Sequence, residues 1–288
     1  MKIALCISGQ PRNVKVGWKN LTDTVLQKNS KVDVFIHTWW DDSFVGKKFE
    51  NAWADTLNSG RSKDMVPTPK EMSSEVEHDT IDNIYELYQP KDICIDSPIV
   101  SFPESDYQLR SSRSAIDVNK EWPENYFYNI DSMWYSVNKC NELKKKFEME
   151  KEFLYDVVIR ARFDSFLNKG LDFRYNIVRK NTIYVFEKYE ITWYGNIYGN
   201  RYKTRDIEAM IRYRHYYVND SFAFGKSDVM DVYSDAGKNF DMLLKTTDVP
   251  FTPEKLLRKY LEYKEVNINN LMNVTHELLR SESSNDRF

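Results

Sequence analysis

The chain has 288 residues, 30% of them charged and 41% hydrophobic, with a formal net charge of −3. This is the balance of an ordinary soluble protein. It offers no basic face for nucleic acid, and no apolar run approaches the roughly 20 residues needed to span a membrane. The three cysteines (Cys6, Cys94 and Cys140) stand far apart with no CxxC pair, and the four histidines are equally scattered. That pattern points to a reducing, cytoplasmic setting and away from a zinc site or other metal cluster. Aromatic residues reach 15%, with 19 Tyr and 7 Trp. Most of these belong in a core, and the remainder are suited to stacking on sugars or bases.

Lys2-Ile3-Ala4-Leu5-Cys6-Ile7 is too short and ends too abruptly for a signal peptide. Residues 2–8 instead read as a strand buried on both faces, as in a parallel sheet. Gly9 and Pro11 break it. A helix is predicted from Val14 to Gln27, burying Val14, Trp18, Leu21 and Val25, and Val32 to His37 is a second strand. This opening is a βαβ unit, which binds ligands past the C-terminal strand ends. Ser8 to Arg12 and His37 to Trp40 therefore share one rim.

Residues 41–80 are polar and aperiodic, and read as a surface excursion. A short helix over Ile81 to Tyr88 and a strand at Asp92 to Ile95 follow, and residues 97–125 read as irregular, including the polar run Arg110 to Arg113. From Asp131 a long helix is predicted. Its stripe of Met133, Val137, Cys140, Leu143 and Phe147 faces a core, and Lys144-Lys145-Lys146 reads as its solvated side. Strands are predicted at Tyr155–Asp164, Thr182–Phe186 and Asn219–Gly225, with a last one at Val266 and Ile268. Helices are predicted near Ser227–Ala236 and after Thr252-Pro253, with Thr252 as N-cap. The alternation of helices and strands defines the α/β class. With no repeat or linker, residues 1–280 read as one domain and 281–288 as a frayed tail.

The strand from Tyr155 to Asp164 carries the most unusual chemistry. Read with a period of two, Tyr155, Val157, Ile159, Ala161 and Phe163 form an apolar face. Asp156, Val158, Arg160, Arg162 and Asp164 form the other. Three buried, unpaired charges at one strand end would cost several kcal/mol each, roughly. Either an internal Arg–Asp ion pair closes the end, or the charges face a polar cleft that holds a phosphate and a metal. Two further segments can converge on it. Ser8-Gly9-Gln10-Pro11-Arg12 follows the first strand, where Gly9 permits close backbone approach and Arg12 can pair with phosphate. An ordinary βα turn is the simpler reading of that segment, which matches neither GxGxxG nor a P-loop. Asp220 opens the segment Asn219-Asp220-Ser221-Phe222-Ala223-Phe224-Gly225, as a general base or as a turn-satisfying carboxylate.

Ile7 to Asn13, Asp33 to Trp39, Tyr155 to Asp164 and Asn219 to Gly225, in this order, resemble the landmarks of a family of small glycosyltransferase-like proteins. Such proteins occur in large DNA viruses, phages and bacteria and are linked to surface-glycan synthesis. The resemblance spans most of the chain. It implies a GT-A-like fold, that is, a Rossmann-like nucleotide-binding, mixed and mainly parallel sheet flanked by helices, together with a nucleotide-sugar donor and a glycan or glycoprotein acceptor. Related transferases hold Mn²⁺ or Mg²⁺ on an Asp-x-Asp pair at a strand end. Here Asp164 stands in the second position and Arg162 in the first, so either Asp164 alone serves the metal or the arginines meet the diphosphate directly.

The implied donor site comprises Ser8, Gly9, Gln10, Arg12, His37, Arg160, Arg162 and Asp164. Asp220 would be the base, with Glu254 a weaker candidate, and Trp193 and Tyr194 the acceptor platforms. A nucleotidyltransferase, or a catalytically silent glycan-binding protein on the same scaffold, is the alternative.

Overall fold

The computed structural model describes residues 1–46, 76–99, 102, 105–113, 125–175, 178–188 and 218–278. Trp193 and Tyr194, most of the 41–80 excursion and the tail 281–288 lie outside them. Eight described strands form one sheet: Ile3–Gly9 (β1), Val32–Trp39 (β2), Asp92–Asp96 (β3), Val157–Ala161 (β4), Ser165–Leu167 (β5), Thr182–Lys188 (β6), Ala223–Gly225 (β7) and Asn267–Leu278 (β8). Their order is β3-β2-β1-β4-β7-β6-β8-β5. β3, β2, β1 and β4 run parallel. β7 is antiparallel to both β4 and β6, and β8 is parallel to β6 and antiparallel to β5. The class is α/β with a mixed sheet whose first half is wholly parallel.

Alternation along the strands sorts the core into two layers. Ala4, Cys6, Phe35 and Val158 pack on one face of the sheet, with the long helix Asn125–Glu150. Ile3, Leu5, Ile7, Val34, Ile36, Val157 and Ile159 pack on the other, with the helix Val14–Leu21 (α1). Each aliphatic side chain buried this way contributes about 1.5–3 kcal/mol. α1 is shorter than the sequence suggests, because the chain continues as a wider π turn over Thr22–Leu26, closed by Gln27 N–H donating to Thr22 O at 2.9 Å. Gly17 brings α1 against the turn after β4. A Cβ there would stand 1.7 Å from the carbonyl oxygen of Phe163.

The described α-helices between β2 and the long helix are Thr80–Asn83 (α2), running on through a π turn to Tyr88, and Tyr107–Ser112 (α3). α3 lies where the sequence reads as irregular. Asp106 caps it by accepting from Leu109 N–H at 3.0 Å. The long helix (α4) begins at Asn125, earlier than expected, and its 26 residues span ~39 Å. Val137 and Cys140 of the predicted stripe are buried, with Met133, Leu143 and Phe147 packed beside them.

The reading of Lys144 as solvated is overturned. Its side chain is fully buried, donating to Ser227 Oγ at 2.6 Å and Asp231 Oδ1 at 2.8 Å and paired with Glu148 at 3.0 Å. Lys145 and Lys146 are exposed. The remaining described helices are Ser227–Ser234 (α5), Phe240–Thr246 (α6) and Pro253–Tyr263 (α7). Pro253 opens α7 as predicted, whereas the Thr252 side chain makes no capping hydrogen bond.

Candidate functional site

β1 has β2 on one side and β4 on the other, so successive connections leave it in opposite directions. Ligands in open α/β sheets bind outside the C-terminal strand ends at such a switch point. The ends that meet here are Ser8–Gly9 of β1 and Ala161 of β4, since Ile7 pairs with Ala161 and Cys6 with Arg160.

The predicted ten-residue strand is shorter. β4 covers Val157–Ala161 alone. Tyr155 precedes it and sits on the α4 side, edge-on to Phe35, its hydroxyl donating to Asp33 Oδ2 at 2.8 Å. Asp156 accepts from Lys2 N–H at 2.8 Å. Past Ala161 the chain turns, with Ser165 N–H donating to Arg162 O at 3.2 Å and Arg162 N–H to Ser165 Oγ at 2.9 Å. The Asn219–Gly225 segment also shortens to Ala223–Gly225. Asn219 Oδ1 folds the stretch before it by accepting from Ser221 N–H at 2.9 Å and Ser221 Oγ at 2.6 Å. Asp220 is therefore on a bend and not in a strand.

This arrangement brings Arg160, Arg162, Asp164 and Asp220 together. Asp220 lies within electrostatic reach of both arginines. Arg160 lies between the small neighbours Cys6 and Ala223, which leaves room for its guanidinium. It is 3% exposed and donates through Nη1 to Ser221 O, while Nε and Nη2 have no partner among the described residues. Burial lowers its pKa from the ordinary arginine value, Arg162 adds to this, and Asp220 and Asp164 oppose it. An arginine keeps its proton in a protein, so the group remains a dry cation with two donors to fill. Ser8 Oγ, two residues on from Cys6 and on the same face, is also buried without a partner among the described residues.

Arg162 and Asp164 form the ion pair that the sequence offers as the simpler reading. Nε and Nη2 of Arg162 donate to the two carboxylate oxygens at 2.8 and 3.0 Å. Burial pulls the Arg162 pKa down, but the Asp164 charge outweighs it and the value stands above the ordinary one. The described residues around Asp164 do not fit a resident Mn²⁺ or Mg²⁺. Such hard cations take several oxygen ligands, whereas both Asp164 oxygens face a guanidinium. Among the described residues, Asp164 is not part of a group of ligands suited to a metal.

At the β1 loop, Gly9 has φ of 119°, a conformation suited to glycine, and Thr38 Oγ1 donates to its carbonyl at 2.9 Å. Arg12 folds back on the Gln10 side chain. His37, opposite Ser8 in the register, faces the long helix α4, on the same side of the sheet as Ser8. Its Nδ1 lies 2.7 Å from Ser136 Oγ on α4 and its Nε2 3.1 Å from Asp96 Oδ2 at the end of β3. Glu254 is buried at the start of α7. Two open surface grooves, of about 390 and 420 Å³, lie elsewhere, beside α1 and just past the end of β2.

Sequence reading missed Ser221 and Tyr233, whose hydroxyl donates to Asp220 O at 3.1 Å. It also missed Cys94 and Asp96 beside His37. These residues look scattered along the chain, yet the β2–β3 register sets His37 directly against Cys94. No family model matches the chain, and no curated protein matches it. No helix of the described residues is long and apolar enough to cross a membrane.

Proposed function

We propose that the chain is a glycosyltransferase of GT-A-like architecture, moving a sugar from a nucleotide-diphosphate donor to a hydroxyl of a glycan or glycoprotein. The observation that carries this reading is the buried Arg160 guanidinium, with two donors unfilled among the described residues, at the sheet's switch point beside Asp220. A diphosphate is the anion with the charge and acceptor geometry for such a site. The parallel order β3-β2-β1-β4, followed by the antiparallel β7, supports a nucleotide-binding half of this kind.

In this reading the donor diphosphate accepts from Arg160 and Arg162 and lies over Ser8 to Arg12. The guanidinium charges stabilise the diphosphate as it leaves, and no divalent metal on Asp164 is required. Asp164 orients Arg162 through its two-point pair. The acceptor hydroxyl gives its proton to Asp220 and its oxygen bonds to the anomeric carbon as the bond from that carbon to the diphosphate oxygen breaks. Trp193 and Tyr194 serve as acceptor platforms, and His37 supports the rim behind Ser8.

A panel of nucleotide sugars, assayed for released nucleoside diphosphate with and without glycan acceptors, tests the activity. Thermal shifts with UDP and GDP test the donor site. Asp220→Asn should keep donor binding and lose transfer by about 10²–10⁴-fold. Full turnover in that variant removes Asp220 from the mechanism. The absence of a shift with every nucleotide would sink the transferase reading.

A further inference from the structure

The ends of β2 and β3 carry a second constellation, one strand beyond the arginine site. A ring nitrogen of His37, Cys94 Sγ and a carboxylate oxygen of Asp96 all lie within 4.8 Å of one another. Nε2 is 3.1 Å from Asp96 Oδ2, and Sγ is 3.5 Å from Asp96 Oδ1. Ligands held at ~2.0–2.3 Å around a tetrahedral ion stand roughly 3.3–3.8 Å from each other. The approaches of His37 and of Cys94 to the Asp96 carboxylate are thus close to the edge lengths of such a tetrahedron.

We propose that His37, Cys94 and Asp96 bind one zinc-class divalent cation, with the fourth corner open to water or to a ligand atom. Three features favour this. The ligands stand on paired strands, so their spacing is held by the sheet and not by a loop. His37 is anchored through its other ring nitrogen by Ser136 Oγ at 2.7 Å, the kind of outer contact that fixes a metal-binding imidazole. Cys94 and Asp96 keep partial solvent access, which provides a path of entry and a free coordination position.

On binding, the Cys94 thiol releases its proton to solvent and its sulfur lone pair bonds to the ion. The thiolate and the Asp96 carboxylate then balance the two positive charges. Imidazole with thiolate selects Zn²⁺, or Co²⁺ as a substitute, over Mg²⁺ and Ca²⁺. The hydroxyl of Tyr135, which donates to Asp96 Oδ2 at 3.2 Å, completes the surround. The site shares no side chain with Arg160, Arg162, Asp164 or Asp220; it does include His37 of the donor rim, and its occupancy is read without any nucleotide.

The test is a Co²⁺ titration of the untagged full chain, followed by optical spectroscopy and competed with Zn²⁺ and with Mg²⁺. One equivalent of Co²⁺ should bind with a thiolate-to-metal charge-transfer band, be displaced by Zn²⁺ and be untouched by Mg²⁺. Cys94→Ser, at a partly exposed position, should remove the band and weaken binding at least 10-fold, and Asp96→Asn should weaken it as well. Alkylation followed by mass spectrometry adds a readout on the unmodified sequence, in which Zn²⁺ should slow labelling of Cys94. Absence of saturable binding, unchanged binding in Cys94→Ser, or Cys94 labelling indifferent to Zn²⁺ each overturns the proposal. Each of these readouts is taken without a nucleotide sugar, so its failure is distinguishable from failure of the transferase assay.

Discussion

Arg110 and Arg160 are equally dry, at 2% and 3% exposure, but their surroundings differ. Arg110 donates through Nη1 to both oxygens of Asp131, at 2.7 and 2.8 Å, and through Nε and Nη2 to Asp241, at 2.7 and 3.2 Å. These contacts tie α3 to α4 and α6. Among the described residues, Arg160 has one backbone carbonyl and two idle donors. A buried charge with its counter-charges in place holds elements together. A buried charge with donors unfilled is suited to a ligand, because a bound anion recovers what desolvation took from it. Lys144, with three partners, belongs with Arg110.

The largest expected effect comes from breaking the satisfied centre. Arg110→Met strands two carboxylates and should destabilise the fold by about 3–5 kcal/mol in urea denaturation. A loss under ~1 kcal/mol would erase the distinction drawn between the two arginines. The variant also has a pH signature. Burial raises the Asp131 pKa above the ordinary carboxylate value even though Arg110 pulls it down, so removing Arg110 raises it further. A carboxyl whose folded pKa exceeds its unfolded one binds its proton more tightly when folded. The deficit of the variant should therefore shrink as pH falls through the folded value toward the unfolded one.

Arg160→Met should do the reverse. Stability is expected to stay within ~1 kcal/mol of the parent, while affinity for a nucleoside diphosphate, read by calorimetry, drops by about 1.5–3 kcal/mol. Asp164→Asn falls between the two. It weakens the two-point pair with Arg162, and about 1–2 kcal/mol should be lost from both stability and donor affinity. If only stability moves, Asp164 belongs with Arg110 as a structural partner. The smallest effect is expected on the surface, where Lys238 pairs with Asp235 at 3.2 Å with both side chains largely in water. Lys238→Ala should shift the midpoint by no more than ~0.5 kcal/mol.

The contrast between these arginines is not legible in the sequence. Arg110 sits in a polar run that looks like loop, because its partners Asp131 and Asp241 lie on elements whose packing sequence periodicity does not specify. Lys144 fails for the same reason, since one residue of a Lys-Lys-Lys run is drawn inward by Asp231 on another helix. Local pattern did carry the βαβ opening, the stripe on α4 and the convergence of Arg160, Arg162 and Asp220, because apolar alternation and chain breaks decide strand ends. It overran β4, since Phe163 continues the period of two through a turn that only the Arg162–Ser165 hydrogen bonds define. It also overlooked His37, Cys94 and Asp96 as a group, because their proximity is a property of strand register and not of spacing along the chain.

Position 17 acts as a mechanical gauge. The helix that follows the Ser8–Arg12 loop and the turn that carries Arg162 and Asp164 meet backbone to backbone, with no side chain between them. A single methyl group at Gly17 would act as a wedge, lifting the helix off the Phe163 carbonyl and displacing the turn that carries Arg162 and Asp164. The seating of that turn is thus fixed by a residue with no side chain, and a Gly17→Ala protein would shift it with every charged group intact.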